Sequence, residues 1–178
     1  MENDCLKIII REMVKEDVPQ VSEIEKDAFG NHRWHEDAFY TELNNELSKY
    51  LVATLEDGTL IGFIGCWLIF EEAHVATFAV ARNYQRKQIA QALMCAFVDI
   101  CYKEEIKYIT LEVRESNDKA ISLYEKFGMT SVGIRKNYYQ DNNESALIMF
   151  SENIFYNKFK TIYNEIKNNI KKIEIIYG

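Results

Sequence analysis

The chain has 178 residues, enough for one domain with a full core, and its 48 % apolar and 28 % charged content is ordinary for a globular protein. Its net charge of −7 argues against nucleic acid as the main partner and suits a basic one. No apolar run approaches the ~20 residues of a membrane span, so no membrane association is expected.

The opening "MENDCLKIII" places acidic residues before a short apolar stretch, unlike a secretory leader, and the cytoplasm is the expected compartment. Residues 6–11, "LKIIIR", fit a first strand. In "KEDVPQVSEIEKDAF" Asp17 is placed as an N-cap, with Pro19 in the first turn, Gln20 at the capping-box position, and Val21, Ile24 and Phe29 facing inward. A second helix spans 35–45, with Phe39 and Leu43 on one face. His32 and His35 flank Trp34 just before it; with no third ligand nearby they are assigned to a loop or rim, not a metal.

Two strands flank Asp57-Gly58, a strong hairpin signal, and "AHVATFAVA" (73–81) is a further strand. The helix after it carries Ile89, Leu93, Phe97 and Ile100 on one stripe. Cys95 and Cys101 fall in that pattern as small buried apolar groups. With Cys5 and Cys66 they show neither CxxC pairing nor ligand spacing, so neither zinc nor a disulfide is expected. "KYITLEV" (107–113) is a strand entered from a helix, hence parallel to its predecessor. Residues 116–128 form a helix capped by Ser116 or Asn117 and closed by Gly128. "MTSVGIRKNYY" and "ESALIMFS" are two last strands joined by "QDNN". The sum is a mixed α/β sheet with helices on both faces.

Residues 151–178 differ from the body, residues 1–150. They hold five Lys against three Glu, a net of +2 that leaves −9 on the body. Phe155, Phe159, Ile162, Ile166, Ile170 and Ile173 recur at helical spacing, which reads as one amphipathic helix. It is expected to pack on its own domain or to pair two copies as a homodimer.

Two stretches carry chemistry. "NYQRKQIAQALM" (83–94) is a basic loop opening a helix, a geometry that aims backbone N–H groups and the helix dipole at a phosphate. It has no glycine, however; Gln88 and Ala90 stand where glycines are expected. In "LEVRESNDKAISLYEKFGM" Glu112 lies near a strand end and Tyr124 on the helix that follows, a carboxylate and a phenol able to act as base and acid. Taken alone, the same residues read better as an ion-pair partner and a core tyrosine with its hydroxyl satisfied.

From "AVARNYQRKQIAQALM" through "LEVRESNDKAISLYEKFGM" to "GIRKNYY", the chain resembles the GNAT acyl-CoA-dependent N-acetyltransferases. Within them it is most similar to the bacterial RimI-type enzymes, which acetylate the N-terminal alanine of a small-subunit ribosomal protein. The resemblance covers about residues 6–150 and implies a GNAT fold of six to seven strands, acetyl-CoA as co-substrate and no metal. It implies Glu112 as general base acting through water, and Tyr124, in contact with the cofactor, as the acid that protonates the departing thiolate. Asn117 would touch the cofactor. Thr77, Phe78, Ala79 and Val80 would be the splayed strand that pairs with it, and Gln85, Arg86, Lys87, Gln88, Ile89 and Ala90 the pyrophosphate loop. Tyr138 and Tyr139 would line the peptide groove opposite Trp34.

Partial burial is expected to raise the pKa of Glu112 toward its task as base. The Gln88 side chain is expected to turn outward or to give its amide to a phosphate oxygen, so that Gln88→Gly binds cofactor more tightly. The implied activity is acetylation of a protein N-terminus, with a basic ribosomal protein as acceptor. The alternatives are a small-amine (polyamine or drug) acetyltransferase on the same fold and a non-catalytic acyl-CoA-binding module.

Overall fold

The computed structural model describes residues 5–178; the acidic start, residues 1–4, lies outside the described residues. The first strand, β1 (Leu6–Glu12), leads through a 3-10 turn into α1 (Val18–Phe29) and α2 (Glu36–Leu43). A meander follows: β2 (Ser48–Thr54), β3 (Leu60–Ile69) and β4 (Glu72–Val80). Then come α3 (Ile89–Lys103), β5 (Tyr108–Arg114), α4 (Asp118–Lys126), β6 (Thr130–Tyr139), β7 (Glu144–Phe150), α5 (Asn157–Asn168) and β8 (Ile173–Tyr177). The eight strands lie in the order β6-β7-β5-β4-β3-β2-β1-β8. Only β4–β5 and β1–β8 are parallel, as expected for β5.

Alternation along the central strands feeds two cores. Ile64 and Cys66 of β3 join α3, α4 and α5 on one face, and Phe63 joins α1 and α2 on the other. The extra residue Ile61, between Gly62 facing Ala53 and Leu60 facing Thr54, resets the alternation, so that Ile61 joins the first core and Leu60 the second. This is why β3 reads as an almost unbroken apolar run. Gly65 allows Tyr50 of β2 to lie across β3, since a Cβ there would sit 2.0 Å from the tyrosine ring.

Two local expectations are corrected. Asp17 does not cap α1 with its side chain. Its carboxylate takes both guanidinium nitrogens of Arg11 at 2.7 and 2.8 Å and the Val14 N–H at 2.9 Å, tying β1 to the turn. Gln20 is likewise spent elsewhere, accepting the Leu60 N–H at 2.9 Å and so fixing the start of β3.

The tail is a shorter helix than its stripe suggests. Phe159, Tyr163 and Ile166 of α5 are buried, and Tyr163 and Lys167 both bond Asp99 of α3. The helix stops at Asn168–Asn169, a poor helix pair, and the β-branched "IEIIY" becomes β8. Ile173 is therefore a strand residue beside Leu6, and Ile170 lies between the two elements. The sheet gains an eighth strand from a segment expected to be helical. No helix among the described residues is long and apolar enough to cross a membrane.

Because Phe159 is 1 % exposed under α5, Phe159→Ala should cost about 3–5 kcal/mol in urea unfolding. A loss under 1 kcal/mol would mean that α5 is an appendage of the domain.

Candidate active site

The ladder between β4 and β5 is short. It runs from Glu72↔Tyr108 to Val75↔Leu111 and stops. There β4 has a bulge: Cys66 of β3 faces Val75 but Gly65 faces Thr77, leaving Ala76 as the extra residue. Beyond it Thr77–Val80 stay on β3, while Glu112–Arg114 stay on β7. A cavity of about 650 Å³ opens in the gap. Phe78, Ala79 and Val80 line it, together with Gln85, Arg86, Gln88, Ile89, Ala90, Asn117 and Tyr124. Two expected members are absent from its wall. Thr77 is buried and gives its hydroxyl to Glu25 at 2.6 Å, and the Lys87 ammonium sits 5.2 Å from the centre of the Tyr84 ring.

The glycine-free loop reaches its shape by strain. Arg86 (φ +64°) and Gln88 (φ +65°) both take the left-handed conformation that glycine adopts freely. The first helical bond of α3 is Ala92 N–H to Gln88 O, so the N–H groups of Ile89, Ala90 and Gln91 precede the helix ladder at the cavity wall. The Gln88 side chain corrects the sequence expectation. Its amide donates to Asn169 O at 2.9 Å, and its oxygen accepts the N–H groups of Lys171 and Lys172, each at 2.9 Å. It holds the tail, not a phosphate.

Asn117 caps α4, its side-chain oxygen accepting the Ala120 N–H at 3.2 Å. Tyr124 lies seven residues on, with its phenol pushed up by burial. Glu112 is the surprise. His74 Nε2 lies 2.5 Å from one of its oxygens and Arg135 Nε 3.2 Å from the other. The His74 contact holds the carboxyl below its ordinary value against the opposing push of burial, with the Arg135 charge adding to the depression. The expected upward shift is reversed, because burial brings two donors with it. The sequence offers one signal for His74: it is the polar residue in the otherwise apolar "AHVATFAVA", and it pairs with Thr110, two residues from Glu112 on the same face.

The expected aromatics fall into two groups. Tyr139 lies under the Arg114 guanidinium at 3.8 Å and meets Tyr138 edge-on at 5.1 Å. Trp34 stacks on Trp67 at 6.0 Å, and its backbone N–H is held by buried Glu25 at 2.9 Å. His32 closes the distance between these walls, edge-on to Tyr139 at 5.8 Å and accepting the Asp141 N–H at 3.1 Å. Its rim placement agrees with the sequence reading; Trp67 and Glu25 were not signalled there.

Residues 18–129 match the family model described as Acetyltransferase (GNAT) family. The chain belongs to the GNAT acetyltransferases. A Bacillus subtilis (strain 168) protein provisionally named a ribosomal protein bS18-alanine N-acetyltransferase is 41 % identical over 81 % of this chain and 95 % of its own length. The Escherichia coli (strain K12) ribosomal protein bS18-alanine N-acetyltransferase is 35 % identical over 75 % of this chain and 89 % of that protein. The crystal structure of the ribosomal-protein-S18-alanine N-acetyltransferase from Escherichia coli superposes with a TM-score of 0.74, at 31 % identity over 82 % of this chain and 93 % of the other. As a GNAT enzyme the chain uses acetyl-CoA as its acyl donor. The cavity suits it, with a basic loop and a helix start at one end and the unpaired edge of β4 beside it.

Removing His74 removes the largest cause of the Glu112 depression. His74→Ala should therefore raise the Glu112 pKa, toward or past its ordinary 4.5. In the wild type the depressed value makes the contact stabilising above the unfolded pKa, and that stability is lost as pH falls through the folded one. Carbon-13 NMR titration of the Glu112 carboxyl reads the shift directly. An unchanged or lower value in the variant would remove His74 as the cause.

Proposed function

We propose that this acetyltransferase modifies the N-terminal alanine of a ribosomal protein, by direct attack of the amine on acetyl-CoA. The observation that carries this reading is the ionised Glu112 near the end of β5, joined through His74 to Trp67 and so to Trp34. The names of the two relatives supply the acceptor class, and the acidic body of the chain suits a basic ribosomal protein. Such an acceptor is met in the cytoplasm. The cover that α3 gives the apolar side of α5 favours a catalyst that needs no second copy at that helix.

The chemistry follows from the groups named. An ammonium cannot attack, so Glu112 takes its proton, through a water, and His74 next to it can take part in passing the proton outward. The freed nitrogen lone pair adds to the thioester carbonyl, and the oxygen that becomes negative is met by an N–H of the β4 edge at Phe78–Val80. Collapse breaks the C–S bond. Tyr124 then donates to the departing sulfur; since burial holds its pKa up, it keeps its proton until the sulfur carries nearly full charge. The nitrogen, cationic once it has added, gives up its second proton through the same water to solvent, and solvent returns a proton to the phenolate.

Glu112→Gln and Tyr124→Phe should each lower kcat by about 10²–10⁴-fold and leave CoA affinity nearly unchanged. CoA release is followed with an N-terminal Ala peptide, a Lys side-chain peptide and spermidine as acceptors. Near wild-type turnover by both variants would overturn the mechanism. Preference for spermidine over every peptide would replace the acceptor with a small amine, and binding of CoA without release on any of them would make the chain a binding module.

A further inference from the structure

The family match ends at residue 129, yet a later segment reaches the cofactor cavity. Lys172 is part of the cavity wall, on the same stretch as the loop residues Arg86 and Gln88. It is held there from three directions. Before it, α5 is fastened to α3 through Phe159 and the Tyr163 and Lys167 contacts with Asp99. After it, β8 is in register with β1 from Leu6↔Ile173 to Ile10↔Tyr177. Between them, the Gln88 carboxamide makes three hydrogen bonds of 2.9 Å to the backbone of residues 169, 171 and 172.

We infer that the tail is a working part of the cofactor site, with Lys172 contacting the phosphate groups of acetyl-CoA and Gln88 positioning it. This inference rests on the acetyl-CoA donor of the reading above. The physical case has two parts. The ADP half of the cofactor carries its negative charge in a pyrophosphate and a phosphomonoester, and the loop alone presents fewer cations than its sequence suggests, since Lys87 is turned to Tyr84. A lysine on a segment tied to the loop itself moves with that loop, so its charge stays at the phosphate-binding end of the cavity. The residue that replaces a glycine thus acts in its stead by recruiting a cation from elsewhere in the chain.

The test is calorimetric titration of CoA, without acceptor, into wild type, Lys172→Ala, Gln88→Ala and the double variant. Lys172→Ala should weaken CoA about fivefold, the upper end for a solvent-exposed ion contact, and flatten the salt dependence of binding. Gln88→Ala should weaken it in the same direction, and the double variant should bind no worse than the weaker single one. S-acetylpantetheine, which has no phosphate, should bind all four proteins equally. Unchanged CoA affinity in Lys172→Ala overturns the inference, as does an equal loss for S-acetylpantetheine, which would reveal a merely structural effect. Additive losses would overturn the link between Gln88 and Lys172. Because no acceptor is present, a wrong assignment of the acceptor leaves this result untouched.

Discussion

A strand buried between two neighbours must pair both its edges, and β4 does so only as far as Val75. Past the bulge at Ala76 its second edge faces the cavity, and the rest of the site is arranged around that unpaired edge. The same parting frees the backbone of Phe78–Val80 and leaves Glu112 without a β4 partner, because β5 stays paired with β7. Cavity and carboxylate are two outcomes of one break in the sheet. Gly65 stands directly across from Thr77 at this point, and Tyr50 fills the space above it, so the kink is packed and not loose.

Packing at the gap also explains where the polar groups lie. Glu25 on α1 is buried, its carboxyl pushed up by that burial, and it is held by Thr77 on β4 and the backbone of Trp34. One side chain therefore joins the splayed strand to the aromatic wall before α2. On the opposite wall Arg114 ties Asp141 and Glu144 to the end of β5 while covering Tyr139. Glu144 in turn takes the Ser116 N–H at 2.8 Å, so its carboxyl falls to about 2.

Much of this was legible in the residues. Hairpin, helix stripes and capped α4 follow from local patterns, whereas Glu112, Asn117 and Tyr124 are singled out together only by the family resemblance. What was not legible depends on distant pairing. His74 is 38 residues from Glu112, and although the intervening helix announces that their strands run parallel, nothing local fixes the register. The direction of the Glu112 shift was misjudged for the same reason: burial is readable from neighbouring apolar residues, but the donors that arrive with it are not. In the tail the periodic isoleucines fit a helix as well as a strand. The tie to β1 and the Asn168–Asn169 break decide between them.

The loop without glycine ties these levels together. A left-handed residue with a side chain costs about 1–2 kcal/mol relative to glycine, and two of them, Arg86 and Gln88, sit three positions or fewer before the helix. A loop under that strain would tend to relax unless its shape were held from outside. Gln85 bonds Val80 O at 3.2 Å on one side, and the Gln88 carboxamide is locked to the tail on the other. Each of these side chains does something a glycine cannot. At Gln88 the side chain that comes with the strain also fastens the backbone, and its anchor is the tail, so the glycine-free loop and the last segment of the chain are held as one piece.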